Sequence, residues 1–530
     1  MTHSSDSVTG LIDDQTEVLG WQVNLGQSAV SFSVPRGQSW WTGKEPRSCP
    51  GFGPDGKLHG LPSPNLSTCT RQDVQAYFDN GWTLTELIFS GLASEEAFYR
   101  PPYHELRHPL IFYFVHPAVF FVNKLRLAGL ISEPVDAYFE GLFDVGVDEM
   151  SWDDMSKNYI QWPSVDDCIA YRARVYDLIC KLIESDPALE DGHRPVTMED
   201  PLWALFMGLE HERIHIETSS CLVRELPLAM VIPPPEFPSL SLSGSGRDSK
   251  IETASFIPVP AGSIEVGKPT DWPSYGWDNE YGYRKAQVSQ FEATRTLISN
   301  GEFLDFVQAG GYRQPRYWSD EGYAWRSFRD LQYPTFWVPA REGDSGEPFR
   351  LRTVYEEIEM PWNWPVVVNF HEAKAYALWR GEQDGAAGGY RLPTEAEHRR
   401  MRQLDSIERT EQVEDIYNLS LKHGSEGPVD AAGAESGSFR DLFGNVWQWM
   451  EDHFHPLEGF KTHQYYDDFS TPCFDGRHHM ILGGSFISIG DEASVFARFH
   501  FRPHFFQHAG IRLVRSSSDG AIVRLDRFNT

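Results

Sequence analysis

Basic charge is scarce in this chain, and that scarcity removes a class of partners. Lys and Arg number 46 against 76 Asp and Glu, a formal net charge of −30. Such a surface repels phosphate backbones and anionic lipid. No block of Lys and Arg reverses the sign locally, so neither nucleic acid nor a membrane is an expected partner. Cysteine is scarce too: the six, at 49, 69, 168, 180, 221 and 473, are irregularly spaced and form no CxxC pair. That pattern predicts free thiols in a reducing, cytoplasmic setting. The opening MTHSSDSVTGLIDDQTE lacks a basic start and an apolar run, so no secretory leader is expected. The most apolar stretch, LIFYFVHPAVFFV, holds a His and a Pro and falls short of the roughly 20 residues that a bilayer demands. It is expected to be a buried core helix. No GxGxxG fingerprint precedes a helix, which speaks against a dinucleotide cofactor, and no internal repeat is visible.

What the chain does have is a folded, aromatic-rich composition, 14% Phe, Trp and Tyr. Its 530 residues suffice for about two to four domains. Residues 1–65 are rich in Gly, Pro and Ser and read as an irregular N-terminal extension, packed through Trp21, Trp40 and Trp41. Residues 66–230 turn helical. Four segments repeat apolar residues at helical spacing, as in RQDVQAYFDNGWTLTELIFSGL and MEDPLWALFMGLEHERIHIETSSCLVREL. Four such segments predict a four-helix bundle. Ser164, with Asp166 and Asp167 behind it, is placed to cap one of them. Residues 231–252, beginning VIPPPEFPSLSLSGSG, read as a linker. From 253 to 530 short strand-like runs such as PVVVNF and MILGGSF alternate with turns and a few helical stretches, which predicts an α+β domain.

Chemistry enters with GLEHERIHIETSS, which contains His-Glu-x-x-His. His211 and His215 are four apart and project from one helix face. An isolated pair of this kind is by default a pair of surface histidines. Here the surrounding helix is apolar, and buried imidazoles need partners, which favours a ligand pair. A zinc protease requires a third ligand, either in HExxHxxGxxH or as a Glu on a following helix. The sequence offers neither: Glu236 sits in PPPEFP, a poor place for a rigid donor. Bundle cores build metal sites from facing helices, and His116 stands amid the apolar IFYFVHPAVFF. His116, His211 and His215 then make three neutral nitrogen donors, with Pro117 expected to kink the first helix. Imidazole suits iron, zinc and copper alike, so spacing does not name the metal.

The stretches LRHPLIFYFVHPAVFFVNKLRLAGLI, GVDEMSWDD and GLEHERIHIETSSCLVRELP resemble the sulfoxide synthases of ovothiol biosynthesis, the 5-histidylcysteine sulfoxide synthases, whose relatives make the sulfoxide intermediate of ergothioneine. The first domain is similar to the DinB-like four-helix bundle. YGWDNEYG, YRLPTEAEHRRMR, DLFGNVWQWMEDHF, ILGGSF and GIRLVR are similar to the formylglycine-generating-enzyme fold, a C-type-lectin-like module. The fold class expected is therefore a DinB-like helical bundle followed by an α+β domain of that type. The resemblance implies a non-haem Fe(II) on His116, His211 and His215. It also implies the reaction: L-cysteine, L-histidine and O2 give 5-histidylcysteine sulfoxide. Joining a thiol to an imidazole C–H removes two electrons and oxidising the sulfur removes two more. O2 accepts all four, leaving one oxygen on sulfur and one in water.

The family places a catalytic tyrosine in the second domain. QYYDDFSTPCFDG is the matching stretch, with Tyr466 the better match and Tyr465 its competitor. Ile214 stands where the ergothioneine branch often has Gln, and the acidic GVDEMSWDD, with Asp148, replaces that branch's RxxR pair. Both departures imply free cysteine and histidine as substrates. Arg498, His500, Arg502 and His504, in ARFHFRPHFFQHAGIRLVR, are candidate partners for a substrate carboxylate. Trp447, in GNVWQW, is a further candidate, though a fold-determining role suits it and Asn445 better. Many members continue into an S-adenosylmethionine-dependent methyltransferase domain. None follows GIRLVR, which implies a separate methyltransferase downstream. The rival readings are an ergothioneine- or selenoneine-type synthase, a formylglycine-generating enzyme, a DinB-type metal hydrolase and a non-catalytic binding module. The second of these needs a cysteine pair where only Cys473 lies.

Overall fold

The computed structural model describes residues 37–103, 107–144, 160–239, 254–341, 346–386, 388–405, 416–430 and 439–516. Trp21 and Asp148 lie outside them.

The first half is helical. Its elements are α1 (Arg71–Ser90), the short α2 (Glu96–Tyr99), α3 (Leu110–Leu127), the short α4 (Ala137–Leu142), α5 (Val165–Ser185) and α6 (Trp203–Glu225). The long helices α1, α3, α5 and α6 form the bundle. Local sequence sets their starts. Thr70 and Asp73 close a capping box on α1, and the Ser164 hydroxyl accepts from the Asp167 N–H at the head of α5. α3 runs from Leu110 to Leu127 as one helix with Pro117 inside it. In the turn before that proline, the Phe114 carbonyl accepts from the Arg172 guanidinium at 2.8 Å. α3 is long and apolar enough to cross a membrane by length and composition, yet 78% of it is buried inside the protein. It is a core helix.

α3 and α6 pack closely because of one residue. A Cβ at Gly208 would lie 2.2 Å from the Phe121 ring, so only glycine lets the two backbones approach. The stretch before α1 wraps the bundle: Trp40 Nε1 donates to the Glu86 carbonyl, and Thr42 bonds the Glu86 carboxylate.

The second half mixes small sheets with helices. Its strands are β1 (Phe256–Val259), β2 (Gly262–Val266), β3 (Arg284–Val288), β4 (Phe291–Thr294), β5 (Trp337–Pro339), β6 (Phe349–Arg352), β7 (Glu357–Glu359), β8 (Trp447–His453), β9 (His479–Leu482), β10 (Phe499–Phe501), β11 (Ala509–Gly510) and β12 (Val514–Ser516). Its helices are α7 (Asn300–Gln308), α8 (Asp320–Phe328), α9 (Phe370–Gln383) and α10 (Glu395–Leu404). Among the described residues the sheets are ordered β1-β4-β12, β10-β9-β8-β11, β2-β3 and β5-β6-β7. Capping boxes begin α7, α9 and α10 through Ser299/Glu302, Asn369/Glu372 and Thr394/Glu397. A long excursion separates β8 from β9, and it carries Tyr465 and Tyr466.

One buried apolar cluster runs from Trp40 through the bundle to Leu513, so the core crosses the junction between the halves. Burial on this scale is the main source of stability. All six cysteines are outside disulfides, as their spacing predicts.

Candidate metal centre

The bundle core brings three imidazoles together. His116 comes from α3, and His211 and His215 come from successive turns of α6. One donor atom from each lies within 4.8 Å of the others. The Nε2 atoms of His211 and His215 are 3.2 Å apart. The His116 ring centre is 5.0 Å from that of His211 and 4.8 Å from that of His215.

Two features orient these rings. His116 Nδ1 donates to the Phe143 carbonyl at 2.6 Å. A carbonyl only accepts, so the proton sits on Nδ1 and the Nε2 lone pair is free for a ligand bond. Aromatic walls do the rest: Phe112 stacks on His116 at 4.7 Å, and Phe120 on His211 at 3.6 Å and 8°. His116 and His211 are buried, and His215 is partly so. Burial pushes the His116 pKa down to about 4. His211 and His215 are held well below the ordinary imidazole value by burial and then by neighbouring imidazoles. All three are therefore neutral, which is the metal-binding form. Three converging neutral nitrogens in a buried site fit a transition-metal ion.

The Glu of His-Glu-x-x-His does not join them. A one-residue step turns about 100° round a helix, and Glu212 accordingly faces α1 and α5. Its Oε1 accepts from Thr85 Oγ1 at 2.7 Å and lies 3.5 Å from Arg172. Glu236 pairs with Arg47 at 3.3 Å. The arrangement of a zinc protease, with a carboxylate poised over the metal-bound water, is not built here.

A cavity of about 630 Å³ opens at the N-terminal end of α6; none of the three imidazoles lines it, and Tyr466 links the two, lining the cavity with its ring 6.4 Å from that of His211. It is lined by Met207 and Trp203, about one and two turns ahead of His211 on α6, and by Tyr275, Trp277, Tyr466 and Phe469. The Tyr466 ring is 5.1 Å from Phe120 and 6.4 Å from His211, with Lys124 Nζ 4.0 Å over its face. Tyr465 turns the other way, its ring 5.1 Å from His463. Of the two tyrosines, Tyr466 is the one on the side of the imidazoles.

The remaining sequence candidates scatter. Ile214 and Trp447 share a small crevice with Glu217 and Phe499. Trp447 Nε1 donates to Glu217 at 2.6 Å, so its polar atom is committed to α6. The four C-terminal residues find partners within the second domain. Arg498 grips Glu395 at 2.8 Å and the Asn279 carbonyl at 2.6 Å, a buried structural ion pair in place of the expected hold on a substrate carboxylate. His500 stacks on Phe454 at 4.0 Å, Arg502 lies 4.0 Å from Asp475, and His504 packs on Phe505 at 5.2 Å.

Sequence reasoning missed the polar seam on the opposite side of α6. Glu217 accepts from Trp447 Nε1, Ser485 Oγ at 2.8 Å and Ser488 Oγ at 2.6 Å. Glu210 accepts from Tyr77 Oη at 2.8 Å and from the Asp491 N–H at 2.9 Å. Ser220 meets His508 Nε2 at 2.8 Å, and Arg224 pairs with Glu426 at 2.8 Å. Gly490 closes the seam: its φ is +66°, and a Cβ there would lie 2.2 Å from Tyr77 Oη. Acidic residues inside an otherwise apolar helix were the available signal.

Comparison with known proteins adds independent findings. The DinB superfamily model matches residues 77–219, and the sulfatase-modifying factor enzyme 1-like domain model matches residues 243–517. The chain is similar to a hercynine oxygenase of Mycolicibacterium smegmatis, 30% identical over 339 residues, which is 60% of this chain and 69% of that one. It is 35% identical to a hercynine oxygenase of Mycobacterium tuberculosis over 221 residues, 39% of this chain and 48% of the relative. It is 26% identical to ergothioneine biosynthesis protein 1 of Schizosaccharomyces pombe over 465 residues, 78% of this chain and 52% of the relative. The last two matches thus span about half of each relative's length.

Proposed function

The chain belongs to the hercynine oxygenase family and is an enzyme of that non-haem-iron, sulfoxide-synthase type; on that premise we propose that it joins a thiol to the imidazole ring of hercynine, trimethylated histidine, and oxygenates the sulfur at the expense of O2. The observation that carries this reading is the convergence of three neutral imidazoles, with the neighbouring carboxylate turned away and Tyr466 standing between His211 and a cavity at the head of α6.

The choice of imidazole substrate departs from the ovothiol-type expectation of free histidine. Relatives named for hercynine and ergothioneine favour the trimethylated form. The cavity lining is consistent with it: Trp203, Tyr275, Trp277, Tyr466 and Phe469 line it together with the carboxylates of Glu199 and Asp278 and the amines of Lys268 and Lys461, and aromatic rings with carboxylates are surroundings that hold a quaternary ammonium. On this reading the methyl groups are already on the substrate, and the downstream methyltransferase implied by the ovothiol resemblance is not required. The observation favouring free histidine is Ile214, an apolar residue at the position where the ergothioneine branch often carries Gln.

Ferrous iron on His116, His211 and His215 would supply Lewis acidity toward a thiolate and a place for dioxygen. The protein's own groups set the conditions. The Phe143 carbonyl keeps the His116 Nδ1 protonated and its Nε2 directed inward. Phe112 and Phe120 hold two rings in place and exclude water. The Tyr466 phenol, on a ring 6.4 Å from that of His211, would hold or deliver a proton, which would favour C–S bond formation over oxidation of the thiol alone.

The test is anaerobic loading with Fe(II), then O2 with cysteine or γ-glutamylcysteine crossed against histidine or hercynine, followed by mass spectrometry. A sulfoxide conjugate of hercynine, formed faster than any histidine conjugate, is expected. Preferential turnover of free histidine would return the assignment to the ovothiol type. No O2 uptake with any pair would remove the synthase reading.

A further inference from the structure

A second group of metal-type donors lies in the α+β domain, away from the imidazole triad. Cys473 ends the 3-10 turn Thr471–Cys473, His478 directly precedes β9, and His500 sits on β10. β9 and β10 are paired antiparallel, with His500 opposite Met480, so the strand register delivers His500 to the root of β9. One donor atom from each of the three residues lies within 4.8 Å of the others. We propose that Cys473, His478 and His500 form a second metal site, of the zinc class, that ties the Tyr466-bearing excursion to the sheet.

Three observations support it. Cys473 and His478 are buried, and Cys473 is in no disulfide. His478 Nδ1 meets Asp475 Oδ1 at 3.0 Å. A carboxylate behind a ligating imidazole is the usual outer-shell arrangement, since it fixes the tautomer and leaves Nε2 to the metal. His500 keeps Nδ1 buried with no hydrogen-bond partner, between the Phe454 face at 4.0 Å and the His478 ring, edge-on at 5.2 Å. An unpartnered buried nitrogen is costly, and an ion among the three donors would relieve it.

The donor chemistry separates this site from the triad. A thiolate with two imidazoles suits Zn2+, with solvent completing the tetrahedron, whereas three imidazoles alone do not discriminate. Position gives the site a role. The chain leaves β8 at His453 and returns to β9 at His479, with Tyr466 between. Cys473 and His478 are on the return limb and His500 is on the neighbouring strand, so a shared ion would cross-link limb and sheet only seven residues after Tyr466.

The test uses the full chain with the triad removed, His116→Ala, His211→Ala and His215→Ala together, titrated with Co2+. A single bound cobalt with a thiolate-to-cobalt charge-transfer band in the near ultraviolet is expected. Adding Cys473→Ser should abolish the band. No band in the triad-free protein overturns the proposal, and so does a band that survives Cys473→Ser, because the thiolate would then belong to another cysteine. Should the triad-free chain not fold, zinc X-ray absorption on the unmutated chain, loaded with Fe(II) and then Zn2+, replaces it. One sulfur in the zinc shell supports the site, and a shell of nitrogen and oxygen alone overturns it. Zinc withdrawal should also raise amide exchange across 463–478 while α3 stays protected.

Discussion

Two sides of α6 do different work with the same kind of material. The side toward α3 presents His211 and His215, neutral and set among aromatic rings, with one donor nitrogen of each within 4.8 Å of the other and of His116. The side toward the second domain presents Glu210, Glu217 and Arg224, each answered by several hydrogen bonds or an opposite charge. Both sides are buried and polar. The difference is in what remains unsatisfied. On the carboxylate side the protein supplies the partners, so that side is architecture. On the imidazole side it withholds them, so that side is free to hold an ion. The position of a polar residue around a helix, and the saturation of its partners, decides between structure and chemistry.

Five substitutions would break or sharpen this contrast. His211→Ala should lower metal content to the background and activity by about a thousandfold or more, with the thermal transition retained; metal analysis beside a steady-state assay checks it. Tyr466→Phe should keep the metal yet cost roughly a hundredfold in C–S product. Thiol oxidation should rise in its place, and Tyr465→Phe should leave both unchanged. Glu217→Ala belongs to the other side: stranding three donors should cost about 3 kcal/mol, read as a lower denaturation midpoint at unchanged metal stoichiometry. Glu212→Gln should have the smallest effect, about 1 kcal/mol of stability with turnover within roughly twofold. A zinc protease would instead lose its activity with that carboxylate, so a dead but folded Glu212→Gln enzyme would contradict the contrast.

The sequence carried much of the centre because helical geometry is local. A spacing of four places His211 and His215 on one face, and an apolar run around His116 means that this imidazole is buried with the core. Ser164 as a cap, and α3 as a core helix, follow from similarly short-range rules. What escaped depends on distant partners. Arg498 is the type of residue that grips a carboxylate, but its partner Glu395 is 103 positions away. Cys473, His478 and His500 have no motif spacing; a hairpin register brings them together. Substrate choice was least legible, since the aromatic lining is assembled from α6, the segment around Tyr275 and the excursion after β8.

The sharing of α6 also limits how such a protein can be rearranged. Because Glu210, Glu217, Ser220 and Arg224 find their partners beyond the linker, a chimera that exchanged only the C-terminal module would leave buried carboxylates facing strangers. Recombination between homologues should therefore fail when the crossover falls between α6 and the C-terminal module, unless the seam residues on both sides match.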